Sequence, residues 1–570
     1  MGMSKTGAGV RQARTAAAGR HLGAAMLAVL LVMTVAVTGF AAYRPVIIGT
    51  NGIVISNHPL ATFAGVETLQ KGGNAVDAAI ATAAALGVVE PYLSGPGGEG
   101  FLMFYEAATG QIYFLNMTGR APAALTLEHF TEQGASRSRG PFASLIPGAV
   151  AGWDMARERF GRLSPAEILA PAIRLAEEGY PATEMAAREH RNAQGYFLDW
   201  DEAGAQAWWG GALNPPNVGD IIRNPKIART YRTMAEEGFR AFYDGWIAEE
   251  IVRFNNKHGG VFSLDDFRNL EVYWEEPLQS TYRGYHIFTP RPNSSGGLAV
   301  PQILNIIEGF DIKSLGVNTP EYIHIMIEAI KLAAADRDEW AGDPLFMDVE
   351  IPYDILLSKE YAAERRAQID LNRAAADVKA GIEQPGTSHI TVVDKDGNLA
   401  SMTMTLGSGW GSGMVAGETG LMLNNGVNWF EVDPTSPAVV EGGKRTRWNM
   451  APAILLRPDG QPYMAIGASG GTGIWQTIPQ VITKIIDFGM NLQDAVESPR
   501  FTYSLSGVRI SVETRLSDTF EALTALGHQV SPLGDWATSA GSVHVIVVNP
   551  ETGAKFGGAD PRREGYAIGW

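Results

Sequence analysis

The chain predicts a layered helix-and-sheet fold with antiparallel sheets. Three observations point there. Strand and helix signals come in blocks rather than in strict strand–helix–strand alternation, a pattern of stacked layers. A strong hairpin signal lies at Ile390 to Asp394, the turn Lys395-Asp396-Gly397-Asn398 and the returning run Leu399 to Thr405. Hydrophobic residues make up 45% of the sequence and charged ones 19%, a globular composition. At 570 residues, the length fits two to four domains or one large two-lobed unit.

Taken in order, Lys5, Arg11, Arg14 and Arg20 precede an uncharged run from Leu22 to Ala42. A basic flank before an apolar run reads as a signal peptide or a signal anchor, with Gly39 and Ala41 allowing cleavage after Ala41. The body is then expected outside the cytoplasm, touching a membrane only through this segment. Leu60 to Gln70 has helical periodicity and is closed by Lys71-Gly72-Gly73. Asn74 caps a second, Ala-rich helix running to about Val89, with Asp77 placed to meet the helix dipole. Ser94 to Gly100 is a glycine-rich loop feeding a strand at Phe101 to Tyr105. A phosphate cradle is discounted there because no Gly-Lys-Ser/Thr follows.

The middle reads as helical. Thr319-Pro320 starts a helix whose core face includes Ile323, Ile327 and Ile330. His324 and Glu328, one turn apart, have metal-ligand spacing, but no His-Glu-x-x-His pattern accompanies them, which favours a structural hydrogen-bonded pair. Asn372 to Gln384 reads as a mobile connector. Beyond the hairpin, strands are expected at Gly417 to Leu423, Ala453 to Leu456, Tyr463 to Ile466, Val508 to Val512 and Val543 to Val548. Helices are expected at Thr477 to Phe488 and Thr519 to Leu526.

Composition excludes several functions. The net charge of −16 leaves no basic excess to neutralise phosphates, so nucleic acid is not a partner. With no cysteine, disulfides, thiolate zinc sites and a cysteine nucleophile are all ruled out. No cofactor is implied, and nothing calls for a metal.

The hairpin holds candidate chemistry. Side chains alternate along a strand, so Thr387, His389 and Thr391 share one side. If Gly397 takes the left-handed position of a three-residue loop, Asp394 lies across from Asn398. Thr391 then faces Ser401, His389 faces Thr403, and Thr387 faces Thr405. An ordinary hairpin with a polar face would look the same. The alternative is a nucleophile: were the chain cut between Gly386 and Thr387, the new α-amine, with a reference pKa of roughly 7.7–8.0, would be a built-in base for the Thr387 hydroxyl.

Further segments sharpen this choice. They include Lys71-Gly72-Gly73-Asn74-Ala75-Val76-Asp77, Pro147-Gly148-Ala149-Val150-Ala151-Gly152-Trp153, Ser294-Ser295-Gly296-Gly297, Thr387-Ser388-His389, Gly417-Glu418-Thr419-Gly420, Gly467-Ala468-Ser469-Gly470-Gly471, Glu497-Ser498-Pro499-Arg500-Phe501 and Asp560-Pro561-Arg562. In this order, from about Val54 to Gly565, the chain resembles the γ-glutamyltransferase (glutathione hydrolase) family of N-terminal-nucleophile hydrolases. The resemblance implies an α/β four-layer αββα sandwich made as a precursor. Its parts would be a leader at 1–42, a large subunit at 43–386 and a small catalytic subunit at 387–570, the two subunits remaining associated. It implies that Thr387 attacks an amide carbonyl of a small-molecule substrate, that Thr405 hydrogen-bonds the nucleophile, and that Gly470 and Gly471 form the oxyanion hole. Without the family, the two glycines would read as a tight turn.

The family's clamp for the γ-glutamyl group is altered. Its Asn, Gln and Asp, which hold the α-amino group, fall on Gly407, Gly426 and Trp429. Its Ser-Ser pair falls on Trp448 and Asn449, and its arginine on Thr118. Arg120, Asn449 and Arg447 are the candidate replacements for carboxylate binding, with Trp429 and Trp448 as further substrate contacts. The segment from Trp429 to Lys444 is short where many bacterial members carry a longer lid, which favours hydrolysis over transfer. The resemblance implies first a hydrolase/transferase that cleaves γ-glutamyl amides through a γ-glutamyl-enzyme ester; the alternatives are an acylase for substrates lacking the α-amino group, such as oxamate-like or glutaryl amides, and a non-catalytic binding homologue.

Overall fold

Alternation along the strands builds two stacked sheets. The computed structural model describes residues 44–199, 203–211, 214–376 and 386–570. One seven-stranded antiparallel sheet runs Tyr566–Gly569, Ile53–Ser56, Ser388–Val393, Leu399–Thr405, Glu99–Glu106, Gln111–Met117 and Tyr273–Glu275. The other, also seven-stranded and antiparallel, runs Ile47–Gly49, Lys555–Ala559, Ser542–Val548, Pro462–Ser469, Ala453–Leu456, Tyr285–Thr289 and Leu278–Tyr282.

Ile53, Ile55, Phe101 and Met103 of the first sheet meet Ile454, Ala465 and Ile546 of the second in a shared core. The residues between them point the other way, as a period of two requires. Val54, Leu102 and Phe104 pack under the helices Pro59–Gln70 and Ala75–Val89. Leu455, Met464 and Ile466 pack under Ser295–Ile307, Pro320–Trp340 and Gly473–Ile486. The order helix, sheet, sheet, helix is the αββα sandwich.

Local signals hold where they were strong. Asn74 and Asp77 form a reciprocal capping box on the Ala-rich helix, every residue of which is buried. Thr319 caps the long helix with Pro320 in its first turn. One expected strand is absent: Gly417–Thr419 is a 3-10 turn, and only Val415 and Met422 bridge across it. Gly417 at φ 53° and Gly420 at φ 67° bend the chain where a strand must extend.

Residues before and after Gly386 both supply strands to the first sheet, so its integrity depends on both parts of the chain. The leader segment at 1–42 lies outside the described residues, as does most of the connector before Gly386. The near end of that connector is fixed to the body by Ala374 N–H, which donates to the Leu526 carbonyl at 2.7 Å. Among the described residues, no helix is long and apolar enough to cross a membrane.

Candidate active site

The hairpin register matches its sequence expectation. Thr391 pairs with Ser401 and His389 with Thr403. Gly397 is left-handed at φ 88°, and Asp394 N–H donates to the Asn398 carbonyl at 3.2 Å. One step further, Thr387 and Thr405 meet: the Thr387 hydroxyl donates to Thr405 Oγ1 at 3.3 Å, and both residues are buried. Thr405 Oγ1 in turn donates to the Gly386 carbonyl and accepts from Gly407 N–H at 2.8 Å. Two hydroxyls and the carbonyl preceding Thr387 therefore form one hydrogen-bonded chain.

His389 continues the polar row behind Thr387. Its ring nitrogens contact Thr403 Oγ1 at 2.9 Å and Thr391 Oγ1 at 3.1 Å. The ring of His544, on the second sheet, stacks on that of His389 with centroids 6.2 Å apart. Burial, then the neighbouring His544, holds the His389 imidazole well below its ordinary pKa, so it stays neutral at physiological pH. A neutral, enclosed imidazole bonded to two hydroxyls orients the hairpin.

Gly470 and Gly471 end the strand Pro462–Ser469, with φ of 127° and 60°. Their carbonyls accept from Gly473 and Ile474, opening the helix Gly473–Ile486. Gly470 packs against the backbone of Gly541, whose carbonyl accepts from the buried Arg500 guanidinium. Arg500 also pairs with Asp560 at 2.6 Å, and Arg562 joins Asp560 to Glu513. This buried ion network ties the glycine turn to the C-terminal segment.

Two residues beside Thr387 were not expected from sequence. Arg563 donates to the Thr387 carbonyl, and Glu90 Oε2 accepts from the Ser388 hydroxyl at 2.6 Å. A signal for Glu90 did exist: it caps the C-terminal end of the helix Ala75–Val89, where the helix dipole disfavours a carboxylate.

Packing leaves no room for a side chain at Gly407 and Gly426, two of the positions where the clamp was expected to be altered. Gly407 sits at φ 100°, and a Cβ there would lie 2.2 Å from Asn425 Oδ1, which already accepts from Ser408 N–H at 2.8 Å. A Cβ on Gly426 would lie 2.4 Å from Leu145 Cδ1 and 3.0 Å from Trp448 Cζ2. The Trp429 and Trp448 rings lie 6.2 Å apart, both buried in the core between the sheets. Of the candidate substrate contacts, the two tryptophans thus come together beside Gly426.

The polar candidates are engaged by the protein itself. Arg120 donates to the Gly443 carbonyl at 2.9 Å and the Tyr273 hydroxyl at 3.1 Å. Arg447 pairs with Glu431 at 2.9 Å and Asp338 at 3.3 Å. Asn449 Oδ1 accepts from Arg337 at 2.7 Å and Ser295 at 3.3 Å.

His324 and Glu328 are hydrogen-bonded, but to other groups. His324 contacts His528 and the Asp370 carbonyl, each at 2.8 Å. Glu328 pairs with Lys331 at 2.8 Å and accepts from Ala375 N–H at 3.3 Å. His324, Glu328 and His528 cluster closely enough to hold a metal ion. The Lys331 ammonium already neutralises the one carboxylate, so the donor set suits a structural node better than a cation.

Comparison with known proteins gives the family. The family model described as gamma-glutamyltranspeptidase matches residues 61–570. The chain is 35% identical over 533 residues to the glutathione hydrolase proenzyme of Escherichia coli (strain K12), covering 90% of each. It is 35% identical over 535 residues to the acylase ACY 1 proenzyme of Pseudomonas sp. (strain SE83), covering 91% of this chain and 94% of that one. The crystal structure of cephalosporin acylase from Bacillus halodurans superposes with a TM-score of 0.86 at 34% identity, covering 94% of this chain and 98% of that one. The chain belongs to the γ-glutamyltranspeptidase family of enzymes.

Proposed function

We propose that this protein cuts itself between Gly386 and Thr387 and then hydrolyses amides whose acyl group carries no α-amino group. In self-cleavage, Thr387 Oγ1 bonds to the Gly386 carbonyl carbon, the peptide C–N bond breaks, and the hydroxyl proton ends on the freed nitrogen. Water then hydrolyses the ester, leaving a Gly386 carboxylate and a free α-amine on Thr387. The Thr405 hydroxyl, which donates to the Gly386 carbonyl, stabilises the charge that develops on that oxygen.

Turnover repeats the chemistry on a substrate. Thr387 Oγ1 bonds to the amide carbon while its proton passes to the α-amine. The C–N bond breaks, the leaving amine takes that proton, and water releases the acid from the acyl-enzyme ester. Gly470 and Gly471 would supply backbone donors to the oxyanion, each worth roughly 2.7–4 kcal/mol. Action outside the cytoplasm belongs to this reading, supported by the basic-then-apolar run within residues 1–42.

The observation that carries the substrate class is the closed clamp. Gly407 and Gly426 have no side chain and no room for one, and an indole stands at Trp429. An ammonium placed there would lose its counter-charge in a buried site. Acylase relatives support the same class. The second reading, γ-glutamyl transfer or hydrolysis, is supported by the glutathione hydrolase relatives. A glutaryl anilide and a γ-glutamyl anilide differ by the α-amino group alone. We expect kcat/KM to favour the glutaryl compound by at least tenfold; the reverse preference would restore the γ-glutamyl reading.

A further inference from the structure

The C-terminal segment brings Arg563 to the Thr387 carbonyl, and the end of the Ala-rich helix brings Glu90 to the Ser388 hydroxyl. Both side chains are buried, and each is the other's strongest electrostatic partner of opposite sign. We propose that Glu90 and Arg563 are positioning residues for Thr387: they hold the Thr387–Ser388 unit at two points, and their charges set the protonation of the α-amine exposed by self-cleavage. This rests on the threonine mechanism proposed above.

The supporting geometry is local. Arg563 follows Arg562, whose guanidinium is fixed by Glu513 and Asp560, so the backbone presenting Arg563 is itself anchored. Ser388 is the first residue of its strand, so a hold on its hydroxyl and on the carbonyl before it fixes where Thr387 points. Burial pushes the Glu90 carboxyl up to about 7, against the pull of Arg563 and the Ser388 hydrogen bond. The titratable groups facing it are Arg563 and Glu564 on the C-terminal segment and Tyr92 on its own loop, with Tyr180 and Glu189 beyond Tyr92. Asn57 adds an uncharged donor.

Glu90 therefore changes charge just below the range where an α-amine titrates, roughly 7.7–8.0. Ionised, it balances Arg563 and favours the ammonium. Removed or protonated, it leaves Arg563 with only the weaker pull of Glu189 and Asp560, and this favours the free base. The two residues should move the amine in opposite directions, which a purely structural role would not do.

The test is competitive labelling of the Thr387 α-amine with acetic anhydride across pH, read on the residue-387 peptide by mass spectrometry. It needs no substrate. Glu90→Gln is expected to lower the amine's titration midpoint, and Arg563→Met to raise it, each by about one unit. Arg563→Met should also slow self-cleavage at least tenfold. If either variant does not fold, Ser388→Ala removes only the hydroxyl held by Glu90 and is expected to lower the midpoint by a smaller amount. Midpoints that stay at the unsubstituted value in a cut protein overturn this inference alone. A wild-type chain that is never cut overturns the threonine mechanism and this inference with it.

Discussion

Thr387 and Thr405, eighteen residues apart, meet hydroxyl to hydroxyl at 3.3 Å, and Thr405 reaches on to the carbonyl of Gly386. One side chain thus contacts both the attacking oxygen and the carbonyl it would attack. Thr387→Ala is expected to abolish chain splitting and turnover together. Thr387→Ser, which keeps the hydroxyl, should still split. Thr405→Ala should slow splitting by tenfold or more, the equivalent of about 1.4 kcal/mol in the barrier. Electrophoresis of purified protein against time reads all three; Thr387→Ala that splits like wild type removes the assigned nucleophile.

The tight packing around Gly407 makes a second prediction. Restoring an asparagine at position 407 should not restore recognition of an α-amino group. A side chain there meets Asn425 Oδ1 and needs φ near 100°, where non-glycine residues are strained. Gly407→Asn is expected to cost about 1–3 kcal/mol of stability, seen as a lower thermal midpoint, with no gain on a γ-glutamyl anilide. A variant as stable as wild type with increased γ-glutamyl turnover would show that the loop can reopen.

What was readable in sequence, and what was not, follows from range. The hairpin register could be counted because pairing with a period of two is local, and Gly397 fixes the loop. The caps at Asn74 and Thr319 were readable for the same reason. Glu90 and Arg563 were missed because they lie far in sequence from Thr387 and are brought there by different elements. The expected strand at Gly417 to Leu423 failed because two glycines with positive φ outweighed the apolar residues after them. The substitutions at the expected clamp positions are visible in sequence, but the packing of Leu145 and Trp448 against Gly426 appears only in three dimensions.

Lys331 and Glu328 form a buried ion pair that also grips the stretch leading toward Gly386. Lys331 donates to the Ala375 carbonyl at 2.8 Å, and Glu328 accepts from Ala375 N–H at 3.3 Å. Lys331→Met leaves a buried carboxylate without its counter-charge, a loss on the order of 3–5 kcal/mol. The paired change Lys331→Met with Glu328→Gln should recover much of it. Limited proteolysis near residue 375 is expected to speed up in the single variant and to slow again in the double one. Equal cleavage in both would separate this pair from the anchoring of the connector.

Acid stability provides a test of the buried histidines and of Glu90, which act with opposite sign. Burial holds His58 at about 4, below the ordinary histidine value near 6.5. As pH falls from about 6.5 to about 4, the unfolded chain takes up the proton first, so this histidine's contribution to stability falls. The slope is at most about 1.4 kcal/mol per pH unit. His58 also caps the helix Pro59–Gln70 through Nδ1, which accepts from Leu60 N–H at 3.2 Å. His58→Asn keeps a capping acceptor and removes the titration, so it is expected to flatten the loss of stability over that window. Glu90 works the other way: its folded carboxyl lies at about 7, above the ordinary 4.5, so native protein binds its proton first and gains stability as pH falls from about 7 to about 4.5. Glu90→Gln should therefore steepen the acid loss that His58→Asn flattens. Thermal midpoints across pH, measured in a Thr387→Ala background so that every chain remains uncut, read both slopes, and two variants that move the curve in the same direction would refute this assignment of charge.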